Sequence, residues 1–401
     1  MPDVLVIGAG PAGLMGAMAA AEAGLRVTIA ERMDRPALKL LASGGGRCNL
    51  SNLLPEEAFM KAFGRHGRFI QPALREFDVA ALREFLARLG IQTTEEETKI
   101  FPRGGARAVY DALLSELQRL KVELRTECEV RAWTPAGAET SDGPLHARAI
   151  LLATGGRGYP ALGGSPRGYE LARGAGHRIV RPIPADVPLL TEESWTRDLA
   201  GVSLRNANLR IALKGFPKAG RTGDLLFTHR GLSGPVALDA SGDVAERLQV
   251  DPLVPVRVAP APDFDPLAAL RAAGNRSIVN ALRDRLPAAL TRALCRQCGI
   301  DPDRPASKTD ARAASRLTER VRGFDLSVHG TEGFEKAMVT RGGAALDEID
   351  PRTLESRRRP KLYLAGELLD LDAPCGGFNL HWAFASGRLA GRSAARAARN
   401  P

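Results

Sequence analysis

Val4-Leu5-Val6-Ile7-Gly8-Ala9-Gly10-Pro11-Ala12-Gly13 is the stretch whose reading decides the fold. Four successive apolar residues read as a strand buried on both faces, the glycines end it, and residues 14–23 read as a helix. Gly24 stands where a helix C-terminal glycine is expected, and residues 26–30 read as a second strand ending at Glu31, 18 residues after Gly13. Strand, glycine turn, helix, strand and closing acid form a βαβ unit, the context that a dinucleotide fingerprint requires. Gly8 then permits the tight turn, Gly10 lets a pyrophosphate approach the backbone, and Gly13 allows helix and strand to pack closely. The helix N-terminus supplies N–H donors and the positive end of its dipole, and Glu31 is placed to hydrogen-bond an adenosine ribose.

Outward from this unit, a helix is expected near residues 106–120, a strand pair near 122–133, and an apolar strand Ala149-Ile150-Leu151-Leu152 that runs into Ala153-Thr154-Gly155-Gly156. From Pro182 through Pro184 and Pro188 the chain becomes proline-punctuated, which disfavours helix and marks an exit into another domain. Short β-like runs with glycine and proline turns follow to about residue 262. Residues 263–322 instead repeat alanine, leucine and arginine at helical spacing. Lys361-Leu362-Tyr363-Leu364-Ala365 reads as a buried strand before a glycine-containing loop and a final helix from about residue 379. The expected architecture is α/β: a two-segment Rossmann-like domain from residues 1–190 and 335–401, carrying an inserted module. Its β-barrel-like part takes residues 191–262 and 323–334, and its helical part residues 263–322.

Bulk properties narrow the class. A chain of 401 residues can bury a core that needs no covalent staples, and five scattered cysteines are no disulfide framework, which favours a reducing, cytoplasmic setting. No charged leader precedes an apolar run at Met1, and the most apolar helical stretch is about half a membrane span, so no membrane segment is expected. Formal charge is +10, which permits a polyanion footprint without locating one. Only nine of the 56 basic residues are lysines, and so arginine-rich a composition reflects genomic bias as readily as phosphate binding.

The fingerprint does not separate FAD from NAD. A bound flavin with a dedicated nicotinamide domain would show two fingerprints, and the chain has one. Ala153-Thr154-Gly155-Gly156 and Gly366-Glu367 match the accessory loops of two-segment FAD folds, with Glu367 placed for the ribityl hydroxyls. The loop Ser43-Gly44-Gly45-Gly46-Arg47-Cys48-Asn49 offers flexible glycines, a guanidinium and polar groups to the pyrophosphate and flavin middle, with Lys39 adding charge. Pro11, Ala12, Arg32 and Val130 complete the adenosine side of the expected cofactor set, and Gly376, Gly377, Phe378 and Asn379 its flavin side. The last helix would aim its N-terminus at the flavin pyrimidine edge, where reduction places negative charge. Cys375 and Cys48 are candidate proton donors or simply small loop residues. His229 is the histidine to test for substrate handling, while His381 reads as packing. Cys295 and Cys298 form one CxxC without a second pair or a nearby histidine, so no metal site is expected and a redox pair is a minor alternative. Ser356-Arg357-Arg358-Arg359 is either a solvated basic run or a phosphate contact.

Ser43-Gly44-Gly45-Gly46-Arg47-Cys48-Asn49-Leu50-Ser51-Asn52 resembles the signature of the bacterial YhiN/BaiN-like flavoprotein family. Phe101-Pro102 with Ala106, Tyr159-Pro160, Leu226-Phe227-Thr228-His229-Arg230-Gly231-Leu232-Ser233-Gly234-Pro235, and Gly366-Glu367 through Gly376-Gly377-Phe378-Asn379 are similar to that family, in its order. A local departure is Ala373-Pro374-Cys375, where many members carry glycine and threonine. The resemblance implies FAD in the terminal-segment domain, two inserted subdomains, and NAD(P)H as transient reductant. It also implies one of two chemistries: reduction of a conjugated double bond in bile-acid metabolism, or of a uridine in ribosomal RNA. Three readings therefore stand: a reductase acting on RNA, a small-molecule enone reductase or amine oxidase, and a flavin-binding interaction protein without turnover.

Overall fold

The computed structural model describes residues 1–399, and they divide into two compact units: Met1–Ile183 with Met338 onward, and Pro184–Ala337. The first unit is built on a five-stranded sheet in the order Leu362–Leu364, Ala149–Leu152, Val4–Ile7, Val27–Ala30, Glu123–Arg125, parallel throughout. Every residue of Val4–Ile7 is buried, as the uninterrupted apolar run requires of a central parallel strand. The last strand of the chain pairs with Ala149–Leu152, which in turn flanks Val4–Ile7, so the two ends of the sequence meet in one sheet.

The fingerprint helix Pro11–Glu22 is buried on nearly every side, because the sheet covers one face and the C-terminal helix Phe378–Arg399 another. The two helices approach backbone to backbone. A Cβ added at Gly387 would lie 2.1 Å from the Ala12 carbonyl oxygen, and one at Gly391 would lie 2.2 Å from that of Gly16. Only hydrogen fits at such separations, and this explains glycines in the interior of a 22-residue helix, where they otherwise weaken it.

One expectation needs correction. Residues 122–133 do not form a strand pair: Glu123–Arg125 completes the parallel sheet, while Val130–Thr134 belongs to a separate antiparallel sheet with Gly137–Thr140 and Gly143–His146. Lys121 and Glu127, both with positive φ, bracket the first of these strands and turn the chain between sheets.

The second unit is a closed six-stranded barrel, in the order Leu189–Thr191, Gly231–Ser233, Arg221–Phe227, Ser203–Ile211, Val254–Ala259, Phe324–Thr331, the last strand pairing with the first. Val254, Val256 and Val258 alternate inward, the period of a strand with one face in a core. Four helices, Pro266–Ala272, Ile278–Leu282, Ala288–Gln297 and Ala311–Arg322, fill the connection between its last two strands and share its core. This is the expected class: a two-segment parallel α/β sheet with an inserted barrel and helices. Among the described residues, no helix is long and apolar enough to cross a membrane.

Candidate functional site

At the C-terminal ends of the parallel strands the glycine positions divide by what faces them. A Cβ on Gly8 (φ 96°) would lie 2.7 Å from the Ala153 carbonyl oxygen, and one on Gly13 would lie 1.9 Å from that of Gly8. These two glycines let protein segments meet. Gly10 differs: nothing of the protein lies within 4 Å of its Cβ position. It precedes a helix whose first turn carries no side-chain cap and no acidic residue, leaving orphan N–H donors and an uncompensated dipole beside open space. Gly155 (φ 71°), in the loop after Ala149–Leu152, is open in the same way.

Glu31 ends its strand with both carboxylate oxygens fixed: Oε2 accepts from the Ala9 amide at 2.7 Å, and Oε1 from the Met33 amide at 2.8 Å. Each oxygen keeps a further lone pair for a ribose hydroxyl. The Glu31 carbonyl accepts the Cys128 amide at 2.8 Å, which brings buried Val130 to the same end of the site. The Arg32 guanidinium turns outward, donating to the Gly163 carbonyl at 3.3 Å.

A second cluster joins residues far apart in sequence. Lys39 Nζ lies 3.0 Å from Glu367 Oε2, and the Thr340 amide donates to Glu367 Oε1 at 2.7 Å. Thr340 Oγ1 accepts from the Arg157 and Gly158 amides at 2.9 and 3.2 Å. Gly156 lies against this pair, its Cβ position only 2.6 Å from Thr340 Oγ1. Lys39 is therefore the partner of Glu367 rather than an uncommitted cation. Among the described residues, two buried hydroxyls, Thr154 Oγ1 and Tyr169 Oη, make no hydrogen bond of good geometry, although Thr340 stands near the phenol, and burial pushes the Tyr169 phenol strongly up, so it stays protonated. Neither Thr340 nor Tyr169 was among the expected site residues; the adjacent positive-φ pair Gly342-Gly343 was the available hint.

The loop from Ser43 to Asn49 takes left-handed φ at Gly44, Gly45, Gly46 and Cys48. The Cys48 amide donates to the Ser43 carbonyl at 3.0 Å, and burial pushes its thiol up to about 11, which suits a protonated structural residue. Arg47 is engaged elsewhere: it pairs with Glu96 and lies 4.2 Å from the centre of the Phe101 ring, so the expected pyrophosphate contact is not where its guanidinium points.

Gly376 and Gly377 pack against the strand Ser51–Asn52 that follows this loop. A Cβ at Gly377 (φ 88°) would sit 2.5 Å from the Ser51 carbonyl oxygen, and Asn52 Nδ2 donates to the Gly376 carbonyl at 3.1 Å. Asn379 folds back, accepting from the Ala373 amide at 2.9 Å and donating to its carbonyl at 2.6 Å. It thereby shapes the loop that presents half-buried Cys375, just ahead of Phe378, with one amide N–H and one oxygen lone pair engaged in doing so.

His381 anchors the same corner, fully buried, with Nε2 donating to the Phe77 carbonyl at 2.9 Å and Nδ1 2.5 Å from Ser51 Oγ. Burial drives its pKa from 6.5 down to about 4. The unfolded chain then binds a proton that the folded one refuses, so this contribution to stability is complete above pH 6.5 and lost as pH falls toward 4. His177, also buried and shifted down, acts in the same direction. Between about pH 7.5 and about pH 5 the loss from His381 alone should be on the order of 2 kcal/mol. Urea unfolding at the two pH values checks it, and equal stabilities would contradict the assignment.

His229 is exposed, between strands Arg221–Phe227 and Gly231–Ser233 of the barrel unit. Cys295 is buried in the helical core, which pushes its thiol up to about 12 and makes a reactive thiolate unfavourable. Among the described residues, no group of three or more His, Cys, Asp or Glu is arranged to hold a metal ion. The run after Ser356 is largely committed: Arg358 pairs with Glu348 at 2.6 Å, and Arg359 donates to the Thr134 carbonyl at 3.0 Å and covers the Trp133 ring.

The family described as HI0933-like protein Rossmann domain matches residues 2–393. A 3-dehydro-bile acid delta(4,6)-reductase of Clostridium scindens is 34% identical, over 98% of this chain and 99% of the relative. A ribosomal RNA dihydrouridine synthase of Escherichia coli is 31% identical, over 96% of each chain. Among solved structures, the 3-ketosteroid-delta4-(5alpha)-dehydrogenase of Rhodococcus jostii RHA1 shares the fold, with a TM-score of 0.53 at 17% identity over 98% of this chain and 96% of that one.

Proposed function

The chain belongs to the HI0933-like Rossmann-domain family, and from that premise we propose that it is an FAD-dependent oxidoreductase, driven by NAD(P)H, that saturates a carbon–carbon double bond conjugated to a carbonyl. The observation that carries the cofactor assignment is the open space before Gly10 at an uncapped helix N-terminus, with Glu31 held beside it for an adenosine ribose. FMN lacks the adenosine half that these residues address. Gly155 and Gly156 with Glu367, and the loop carrying Gly376 and Gly377, take the middle and the flavin end. Bound FAD supplies hydride chemistry at its N5.

The chain's own residues contribute position and a proton. Asn379 and Asn52 fix the loop around Cys375, whose thiol is our candidate donor to the carbon that does not receive hydride. His229 is the candidate substrate contact of the barrel unit. The two relatives' names share one chemistry, since a Δ4,6 enone and a uracil C5=C6 are both double bonds conjugated to a carbonyl. A formal charge of +10 supports the polyanionic substrate, a uridine of ribosomal RNA, over a bile acid with its single carboxylate. Reaching that base requires unstacking it, which costs a few kcal/mol and least in a loop.

The test is nucleoside mass spectrometry of ribosomal RNA from a strain lacking the protein and from the same strain complemented with wild type or Cys375→Ala. The expected result is loss of dihydrouridine in the deletion and recovery with wild type. In vitro, Cys375→Ala should slow product formation by about a hundredfold while NAD(P)H bleaches the flavin band as before. Unchanged dihydrouridine in the deletion would remove RNA as substrate and leave the enone reductase reading to be assayed with a steroid enone.

A further inference from the structure

An open surface groove of about 310 Å³ lies in the first unit between the segment around Arg65, His66 and Phe69 and the segment from Leu346 to Arg357. Its lining is divided by chemistry. Phe69, Leu346 and Ile349 give it an apolar wall, and the guanidinium groups of Arg65 and Arg357 stand at it without an ion pair to any described carboxylate. The one carboxylate among its lining residues, Asp347, is paired with Arg178 at 2.9 Å. Arg65 Nε donates to His66 Nε2 at 2.9 Å, which fixes the imidazole as the acceptor and orients the guanidinium beside it. Two carboxylates lie within electrostatic reach without closing an ion pair to these groups: Asp370 feels His66 and Arg65, and Asp350 feels Arg357.

The backbone that carries this lining is braced from behind. Ser356 Oγ accepts the Arg358 and Arg359 amides at 3.0 and 2.9 Å and lies 2.8 Å from His177 Nε2, whose Nδ1 is 3.3 Å from Glu348. The order Ser356, His177, Glu348 has the connectivity of a nucleophilic triad. All three are buried, however, and the serine oxygen is already surrounded by donors, so the arrangement positions rather than attacks. Its product is a fixed pair of segments, since the Arg357 amide donates to the Glu348 carbonyl at 2.8 Å. On the other side, Phe69 meets the Trp382 ring edge-on at 6.2 Å, and Trp382 Nε1 donates to the Gly366 carbonyl at 3.2 Å, next to Glu367.

We propose that this groove is a second nucleotide site, distinct from the dinucleotide cradle, which holds a phosphate between Arg65 and Arg357 and lays the attached base against Phe69 and Leu346. Planar guanidinium groups suit phosphate oxygens, and an apolar wall with one aromatic face suits a heterocycle without demanding a particular one. The proposal rests on the reductase reading only for the source of the nucleotide, since both an RNA strand and NAD(P)H present this chemistry.

The test uses the full chain with FAD bound, comparing wild type with Arg65→Glu and Arg357→Glu, both exposed positions whose replacement leaves the core intact. AMP and adenosine, which differ only in phosphate, are titrated by calorimetry. AMP should bind wild type about tenfold or more tightly than adenosine, and each variant should erase that preference. Two further arms identify the source. Weaker binding of a labelled RNA hairpin, with a salt slope flattened by about one unit per arginine, assigns the site to the substrate strand. A raised NADPH requirement for flavin bleaching assigns it to the reductant. Equal binding of AMP and adenosine to wild type, or a preference for AMP that survives both substitutions, would overturn the site. Because the titration reads binding alone, a protein that held AMP here yet reduced no double bond would leave this site standing and remove only the reductase reading.

Discussion

Gly10→Val should yield a folded protein that has lost its FAD, with affinity down by at least about a hundredfold. The isopropyl group meets no protein atom, because nothing lies within 4 Å of the Gly10 Cβ position, and its backbone at φ −75° and ψ 178° is extended and open to a β-branched residue. What the side chain fills is the approach to the orphan N–H groups of the helix N-terminus, where a pyrophosphate would lie. Gly13→Val is the matched control with the opposite cause. Its Cβ would lie 1.9 Å from the Gly8 carbonyl oxygen, so that variant should fail to fold rather than fold without cofactor. Absorbance of the purified proteins near the flavin band, with circular dichroism for the fold, separates the two. A yellow Gly10→Val protein with a full complement of FAD would refute the cradle.

The contrast between these two glycines also shows what the chain discloses unfolded. Periodicity and glycine spacing identify the βαβ unit, because a strand buried on both faces and a helix entered through Gly8 to Gly13 leave a local pattern. The barrel is legible for the same reason, in runs such as Val254-Pro255-Val256-Arg257-Val258. Glu367 and Lys39 could each be placed in the site from their own loops, yet nothing local told that they pair with each other across 328 positions. Thr340 is a lone hydroxyl side chain in a short strand, and Tyr169 a lone aromatic in a helix; their proximity to Glu367 is a product of topology. The same holds for Arg47, whose guanidinium was read as a phosphate contact from its glycine neighbours but is drawn away by Glu96 and Phe101 of another hairpin. Local chemistry is legible where it constrains the backbone, and illegible where long side chains choose among partners.

Gly387→Ala tests whether the C-terminal helix is part of the cofactor site although none of its interior residues need touch a ligand. A methyl group there would stand 2.1 Å from the Ala12 carbonyl oxygen, in the first turn of the fingerprint helix, and that oxygen belongs to backbone that cannot rotate aside. Ala is the better helix former by about 1 kcal/mol, so propensity alone predicts stabilisation. Steric overlap should outweigh it and give a net loss of about 3 kcal/mol, the upper end for overpacking a close contact, with the helices forced apart where Gly391 also meets Gly16. Moving Ala12 displaces the N–H groups beside Gly10, so FAD affinity should fall together with stability. Ligand linkage then supplies a second signature: added FAD should raise the melting temperature of Gly387→Ala less steeply than that of wild type, because weaker binding to the folded state returns less stability at each concentration. Melting curves across an FAD series read both quantities. If Gly387→Ala were as stable as wild type, or lost stability with no change in FAD dependence, the helix would be packing alone and the cradle would end at the fingerprint helix itself.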